Sequence, residues 1–210
     1  MTERSFMFVP LFRKKMTKAE RTKQFIIEKS APIFNTKGVA GTAMSDIMEA
    51  TKLAKGSLYV HFENKEELSY AAVDYNLDSL AERTKAAVNK QQTAKSKLFA
   101  FVDLYGDPLN PPLKGGCPML NFGMEADDTN PIIRQKVNRL VQASPQMLAT
   151  IIEQGIINGE FKKNWNAKEF GIKAFAMIEG GILISRVSGN NEQMGILKKI
   201  IKKEIEENSI

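Results

Sequence analysis

One cysteine, one histidine and one tryptophan occur in 210 residues, and two of these scarcities close off a chemistry. A lone Cys117 cannot form an internal disulfide and fits a reducing cytoplasm. A lone His61 removes histidine-based metal sites and any His-dependent Ser or Cys catalytic pair. Glycine-rich phosphate loops and clusters of metal-ligand residues are also missing, so no catalytic residue, metal or cofactor is expected. No run approaches about eighteen consecutive apolar residues, so no membrane span is expected. The opening MTERSFMFVPLFRKK fails as a signal peptide. Its apolar run, Phe6 to Phe12, is short, the basic cluster follows it, and no small-residue cleavage site comes after.

What is present is unevenly placed positive charge. Residues 1–65 hold twelve Lys/Arg against six Asp/Glu, whereas residues 66–210 hold eighteen of each. The whole excess of +6 therefore lies in the first third of the chain. Such a segment suits a polyanion, nucleic acid first and an anionic membrane surface second. A merely solvated basic face is the bland alternative.

The periodicity is helical throughout. Residues 1–16 read as a flexible basic arm, and Met16 offers a second start besides Met1. From Thr17, Ile26/Ile27, Ala31 and Phe34 recur at helical spacing until Asn35-Thr36-Lys37-Gly38, with a bend expected at Pro32. Thr42 is the expected N-cap of a second helix, with Asp46 in its first turn and its end near Thr51. A third runs from about Lys55 to Phe62. Asn64 and Glu67 form a capping box that launches a long helix to about Val88. Helices follow at 93–106, 118–127, 130–158 (bent at Pro145), 167–188 and 192–207, with Gly106 to Gly116 a loop of three prolines and three glycines. The expected fold class is all-α, with about nine helices. It divides into a helix-turn-helix DNA-binding domain of three helices at 17–63 and a ligand-binding and dimerisation domain at 64–210.

Two short helices joined by a tight turn, inside the basic segment and after a long helix, form the arrangement in which the second helix enters the major groove. Lys55, Gly56, Ser57, Tyr59 and His61 would face DNA, with Leu53, Leu58 and Phe62 anchoring the helix. Lys65 adds a cation and backbone amides at the start of the next helix. Tyr59 and His61 otherwise read as half-buried structural residues. Arg13-Lys14-Lys15 reaches either phosphate or a minor groove, or is only a solubilising arm.

The run GVAGTAMSDIMEATKLAKGSLYVHFENKEEL, residues 38–68, resembles the N-terminal signature of the TetR/AcrR family. Gly38, Thr42, Asp46, Ile47, Lys55, Gly56, Ser57, Leu58, Tyr59, His61, Phe62, Lys65, Glu67 and Leu68 carry the match, within a similarity spanning Arg21 to Tyr70. The resemblance implies a DNA-binding homodimer on a pseudo-palindromic double-stranded operator, most often a repressor, released by a small-molecule inducer. It adds Thr42, Ala43 and Met44 to the DNA-facing set. Two positions depart from the pattern: Lys52 stands where a turn glycine is usual, and Ala54 where a serine often caps the recognition helix, each a loss of about 1 kcal/mol.

For the inducer, whose identity the sequence does not give, the candidate lining is Phe101, Tyr105, Met119, Phe122, Phe175 and Ile178. Met124, Phe161, Trp165 and Met177 belong to the same apolar population, which any bundle core would also need. Helices 167–188 and 192–207 are the expected dimer seam, through Gly180-Gly181, Ile182, Leu183, Ile196, Leu197, Ile200 and Ile201. Cys117, after Gly115-Gly116 and before Pro118, sits at a helix N-cap that favours a thiolate. It is therefore either a redox or electrophile sensor or a small buried residue at a tight turn.

Overall fold

Nine α-helices run through residues 16–210, the residues described by this computed structural model. They are α1 (Lys18–Gly41), α2 (Met44–Thr51), α3 (Lys55–Tyr59), α4 (Lys65–Asn89), α5 (Ala94–Leu104), α6 (Pro118–Ala126), α7 (Pro131–Ile157), α8 (Ala167–Ser188) and α9 (Glu192–Glu207). Residues 1–15, including the expected Arg13-Lys14-Lys15 arm, lie outside them. Five helices start on side chains that accept from an amide two or three residues into the first turn. Thr17 begins α1, Asn64 α4, Thr93 α5, Asn130 α7 and Asn166 α8. The Asn64 cap differs from the expected box: Asn64 Oδ1 accepts from Glu67 N, but the Glu67 carboxylate reaches back to Glu63 N.

The helix-turn-helix unit has its own small core. Ile26, Phe34, Ile47, Leu58, Phe62 and Leu68 are each no more than 3% exposed and draw α1, α2, α3 and the start of α4 together. In the larger bundle α7 packs along α8 and α8 along α9. Phe161, Trp165 and Phe170 close one end of it, stacked edge to face with centroids 4.9 and 4.8 Å apart. Phe161 and Trp165 are thus core residues rather than pocket walls.

Several local expectations are corrected. α1 does not stop at Asn35-Thr36-Lys37-Gly38 but is resumed to Gly41 past a non-helical Gly38, and both α1 and α7 contain their prolines, Pro32 and Pro145, without a break there. Thr42 is not the N-cap of α2: it is buried and its hydroxyl donates to Gly38 O at 2.6 Å. Ala43 is the N-cap, its amide taken by Asp46 Oδ2 at 3.0 Å. The recognition helix is shorter than expected and ends at Tyr59.

The two departures from the family pattern appear as anticipated. Lys52 takes φ 57°, ψ 26°, the sole non-glycine residue with positive φ among the described residues, and Ala54 begins α3 with no side-chain cap. Gly38, at φ 76° and ψ 171°, occupies a region essentially reserved for glycine. A Cβ there would also stand 2.8 Å from Glu125 Oε2. Gly38→Ala is therefore expected to cost about 2 kcal/mol, read as a lowered midpoint in urea unfolding.

Candidate nucleic-acid interface and effector cavity

α3 presents one face outward. Lys55, Gly56, Ser57 and Tyr59 are all exposed, while Leu58 on the opposite side is 1% exposed. Lys55 Nζ lies 5.9 Å from the centre of the Tyr59 ring, so cation and phenol share one patch. Ala43 is exposed and Met44 half-buried at the start of α2, as is His61 after α3. Thr42 does not join this surface through its side chain, which is buried and already bonded. Lys65 turns inward: its Nζ donates to Thr42 O at 2.7 Å and so ties α4 to the α1–α2 turn. The positive end of α4 is met by Glu66 and Glu67 from its own first turn, which weakens the expected amide site for phosphate. A further element is Lys23, 3.3 Å from Glu67 and 4.7 Å from the Phe62 ring centre, which clamps α1 to this unit.

A cavity of about 570 Å³ opens between α4, α5, α6 and α7, within the usual size for small-molecule sites. Of the six expected lining residues it collects Tyr105 and Met119. Phe101 and Ile178 are core, Phe175 packs against the core from α8, and Phe122 lines a separate cavity of about 340 Å³ beside Val39 and Lys65. The unforeseen walls are Leu80, Thr84 and Val88 from α4 and Leu140, Met147 and Ile151 from α7. The α4 set repeats at helical spacing, a signal legible in sequence but indistinguishable there from a core stripe.

Behind Tyr105 lies a buried polar cluster. Tyr105 and Thr84 share a hydrogen bond of 2.5 Å between hydroxyls. The Cys117 thiol points at Glu179 Oε1, 3.5 Å away, and Glu179 Oε2 has no partner. Burial first, and then the Glu179 charge, push the Cys117 thiol well above its ordinary range. This runs against the expected thiolate at the α6 N-cap: Cys117 is 6% exposed, and burial with Glu179 outweighs the Met119 and Leu120 amides that favour the anion. Burial likewise lifts the Glu179 carboxyl from 4.5 to about 7, against the hydrogen bond from Cys117.

Where cavity and interface meet is α6. Met119 lines the cavity, and Asn121 Nδ2 donates to Asn35 O at 2.8 Å. Glu125 accepts from Val39 N at 2.8 Å and Ala40 N at 2.7 Å. Asn35 in turn donates to Lys114 O and Gly116 O on the loop preceding α6. A Cβ on Gly115 would stand 2.7 Å from Asn35 O, so this close approach requires the glycine.

On α8 and α9, Ile172, Leu183, Ile184, Val187, Ile196 and Ile200 are exposed, between 45% and 80%. Ile182 and Ile201, expected at the seam, face the core instead. Gly181 serves the α8–α9 approach within the chain, since a Cβ there would meet Met194 Cε at 2.8 Å, while Gly180 has open space beside it.

Two measurements test the cluster. In the folded protein Cys117 should react with iodoacetamide at neutral pH at least about a hundredfold more slowly than in urea; comparable rates would remove the buried-thiol account. The raised Glu179 carboxyl keeps its proton in the folded state at pH values where the unfolded chain has lost it. Stability is therefore fully present below pH 4.5 and falls as pH rises toward about 7, by roughly 3 kcal/mol. Glu179→Gln should flatten that slope in urea titrations at pH 5 and pH 8, gaining stability at the higher pH.

The comparisons with known proteins agree with this architecture. Residues 26–72 match the bacterial regulatory proteins of the tetR family, and residues 94–201 match the tetracyclin repressor-like C-terminal domain. A TetR-family transcriptional regulator from Cytophaga hutchinsonii is 37% identical, covering 94% of this chain and 99% of that one, with a TM-score of 0.86. A TetR transcriptional regulator from Chloroflexus aurantiacus is 33% identical over 92% and 98%, with a TM-score of 0.86. The transcriptional repressor DhaR of Mycobacterium sp. is 23% identical over 173 residues, 82% of this chain and 86% of its own. No helix among the described residues is long and apolar enough to cross a membrane. With matches along both the DNA-binding and the C-terminal segments, the chain belongs to the TetR family of bacterial regulatory proteins.

Proposed function

We propose that this chain is a ligand-responsive repressor that holds a pseudo-palindromic operator as a homodimer and releases it when a small molecule enters the cavity between α4, α5, α6 and α7. Residues 17–63 form the DNA-binding unit, and residues 64–210 bind the ligand and the second protomer. The observation that carries the reading is the outward face of α3, with Lys55, Gly56, Ser57 and Tyr59 exposed on a helix anchored by Leu58. Gly56 lets a phosphate approach the backbone, Lys55 supplies charge, and Ser57 and Tyr59 supply hydroxyls. Ala43, Met44 and His61 flank this face, and Lys65 supports it by holding the α1–α2 turn.

The exposed apolar stripe of α8 and α9 supports a two-fold seam, which sets the spacing of the two α3 helices. Release follows from α6. A ligand that displaces Met119 moves the helix carrying Asn121 and Glu125, and with it the end of α1 and the α1–α2 turn. The protein works in the cytoplasm beside the DNA and catalyses nothing. A thiol sensor at Cys117 is not favoured, because burial keeps that sulfur protonated.

An operator selected from random duplex DNA should give a footprint with two-fold symmetry and steep salt dependence. Lys55→Ala with Tyr59→Ala should weaken its binding at least about tenfold, with an unchanged melting temperature. Undiminished binding by this variant would remove α3 as the reading helix.

A further inference from the structure

Charge around the 570 Å³ cavity is one-sided. Two of its lining residues are lysines, Lys85 on α4 and Lys97 on α5, and none is a carboxylate. Among the described residues some lysines of the bundle pair with acids, Lys136 with Asp74, Lys173 with Glu204, and Lys198 and Lys202 with Asp103, while others such as Lys90 and Lys199 do not. What sets Lys85 and Lys97 apart is that they share one cavity mouth. Neither Lys85 nor Lys97 is paired with a carboxylate among the described residues. Lys85 is exposed and Lys97 half-buried, so both stand toward the rim, whereas Leu80, Val88 and Met119 are buried in the depth. Of the uncharged polar residues that line it, Thr84 and Tyr105 bond each other and Ser144 Oγ donates to Leu140 O, while Asn89, Gln146 and Thr150 are exposed toward the mouth. The interior thus asks for apolar surface and the rim for negative charge. Glu179, the buried acid nearby, bonds to Cys117 and does not line this cavity.

We propose that the effector is an amphiphile with an apolar body and an anionic end, of the fatty-acid class. Its chain lies against Leu80, Val88, Met119 and Met147, and its carboxylate sits between Lys85 and Lys97. The assignment rests on reading this cavity as the effector site. Two unpaired cations beside a low-dielectric void attract an anion and repel a cation of equal size. The apolar walls supply the non-directional part of the affinity.

The test is calorimetric titration of the whole protein with decanoate, decanol and decyltrimethylammonium, each below its micelle concentration. Decanoate should bind at least about tenfold more tightly than decanol, with the ammonium weakest, and added salt should weaken decanoate alone. The double variant Lys85→Gln, Lys97→Gln should lose about tenfold for decanoate and keep its decanol affinity and melting temperature. Equal binding of decanol and decanoate, or an unchanged double variant, overturns the anionic end and leaves the cavity as the effector site. Preferential binding of the ammonium also overturns it. No binding of any of the three removes both the amphiphile and the cavity reading, while the operator footprint still stands or falls separately.

Discussion

At the end of α1 the backbone breaks at Gly38 and turns the Val39 and Ala40 amides toward α6, where Glu125 accepts both. Hydrogen bonds to a charged acceptor contribute about 1.5–3 kcal/mol each, so this carboxylate is a firm hold on an otherwise unsatisfied turn. One turn earlier Asn35 and Asn121 add a second hold, made possible because Gly115 leaves room for the Asn35 carbonyl. α3 packs on α2 and α2 on α1, so the attitude of α3 follows from the end of α1. Under the proposed function, this joint is the route by which a displacement of α6 would reach α3.

The interior beside that joint is deliberately imperfect. A well-packed bundle would fill the space between α4 and α7 with side chains and would not enclose a carboxyl with an unpartnered oxygen. Here about 570 Å³ is left open, and Glu179 has Oε1 within reach of Cys117 at the head of α6 while its Oε2 is left without a partner. Stability lost at these points is available to a ligand, because binding to the folded state recovers it by mass action.

Most of the helical layout was legible in the chain because its signals are local. Asn64, Asn130 and Asn166 each stand immediately before a helix and accept from its first turn, and Gly189 ends α8 in a left-handed conformation. The two departures at Lys52 and Ala54 were located by the resemblance to the family pattern. The cap of α2 was misread because Thr42 and Ala43 are adjacent and a threonine is the better cap in isolation. In the folded chain its hydroxyl is claimed by Gly38 O.

By itself the sequence determined the all-helical class, the order of the helices, the position of the short helix α3 and the concentration of positive charge in the first third of the chain. All of these depend on spacings of a few residues or on counts along the chain. Tertiary structure alone decided which apolar stripes enclose a void and which enclose each other. Tyr105 and Met119 reached the cavity while Phe101 and Ile178 went into the core, although all four carry the same helical signature. It also decided the state of Cys117. A helix N-cap argues for a thiolate from one residue's neighbours in sequence, but Glu179, 62 residues away, and the burial around both reverse that preference. Electrostatics and packing act through space, and partners that far apart in sequence become visible only once the helices have been laid against one another.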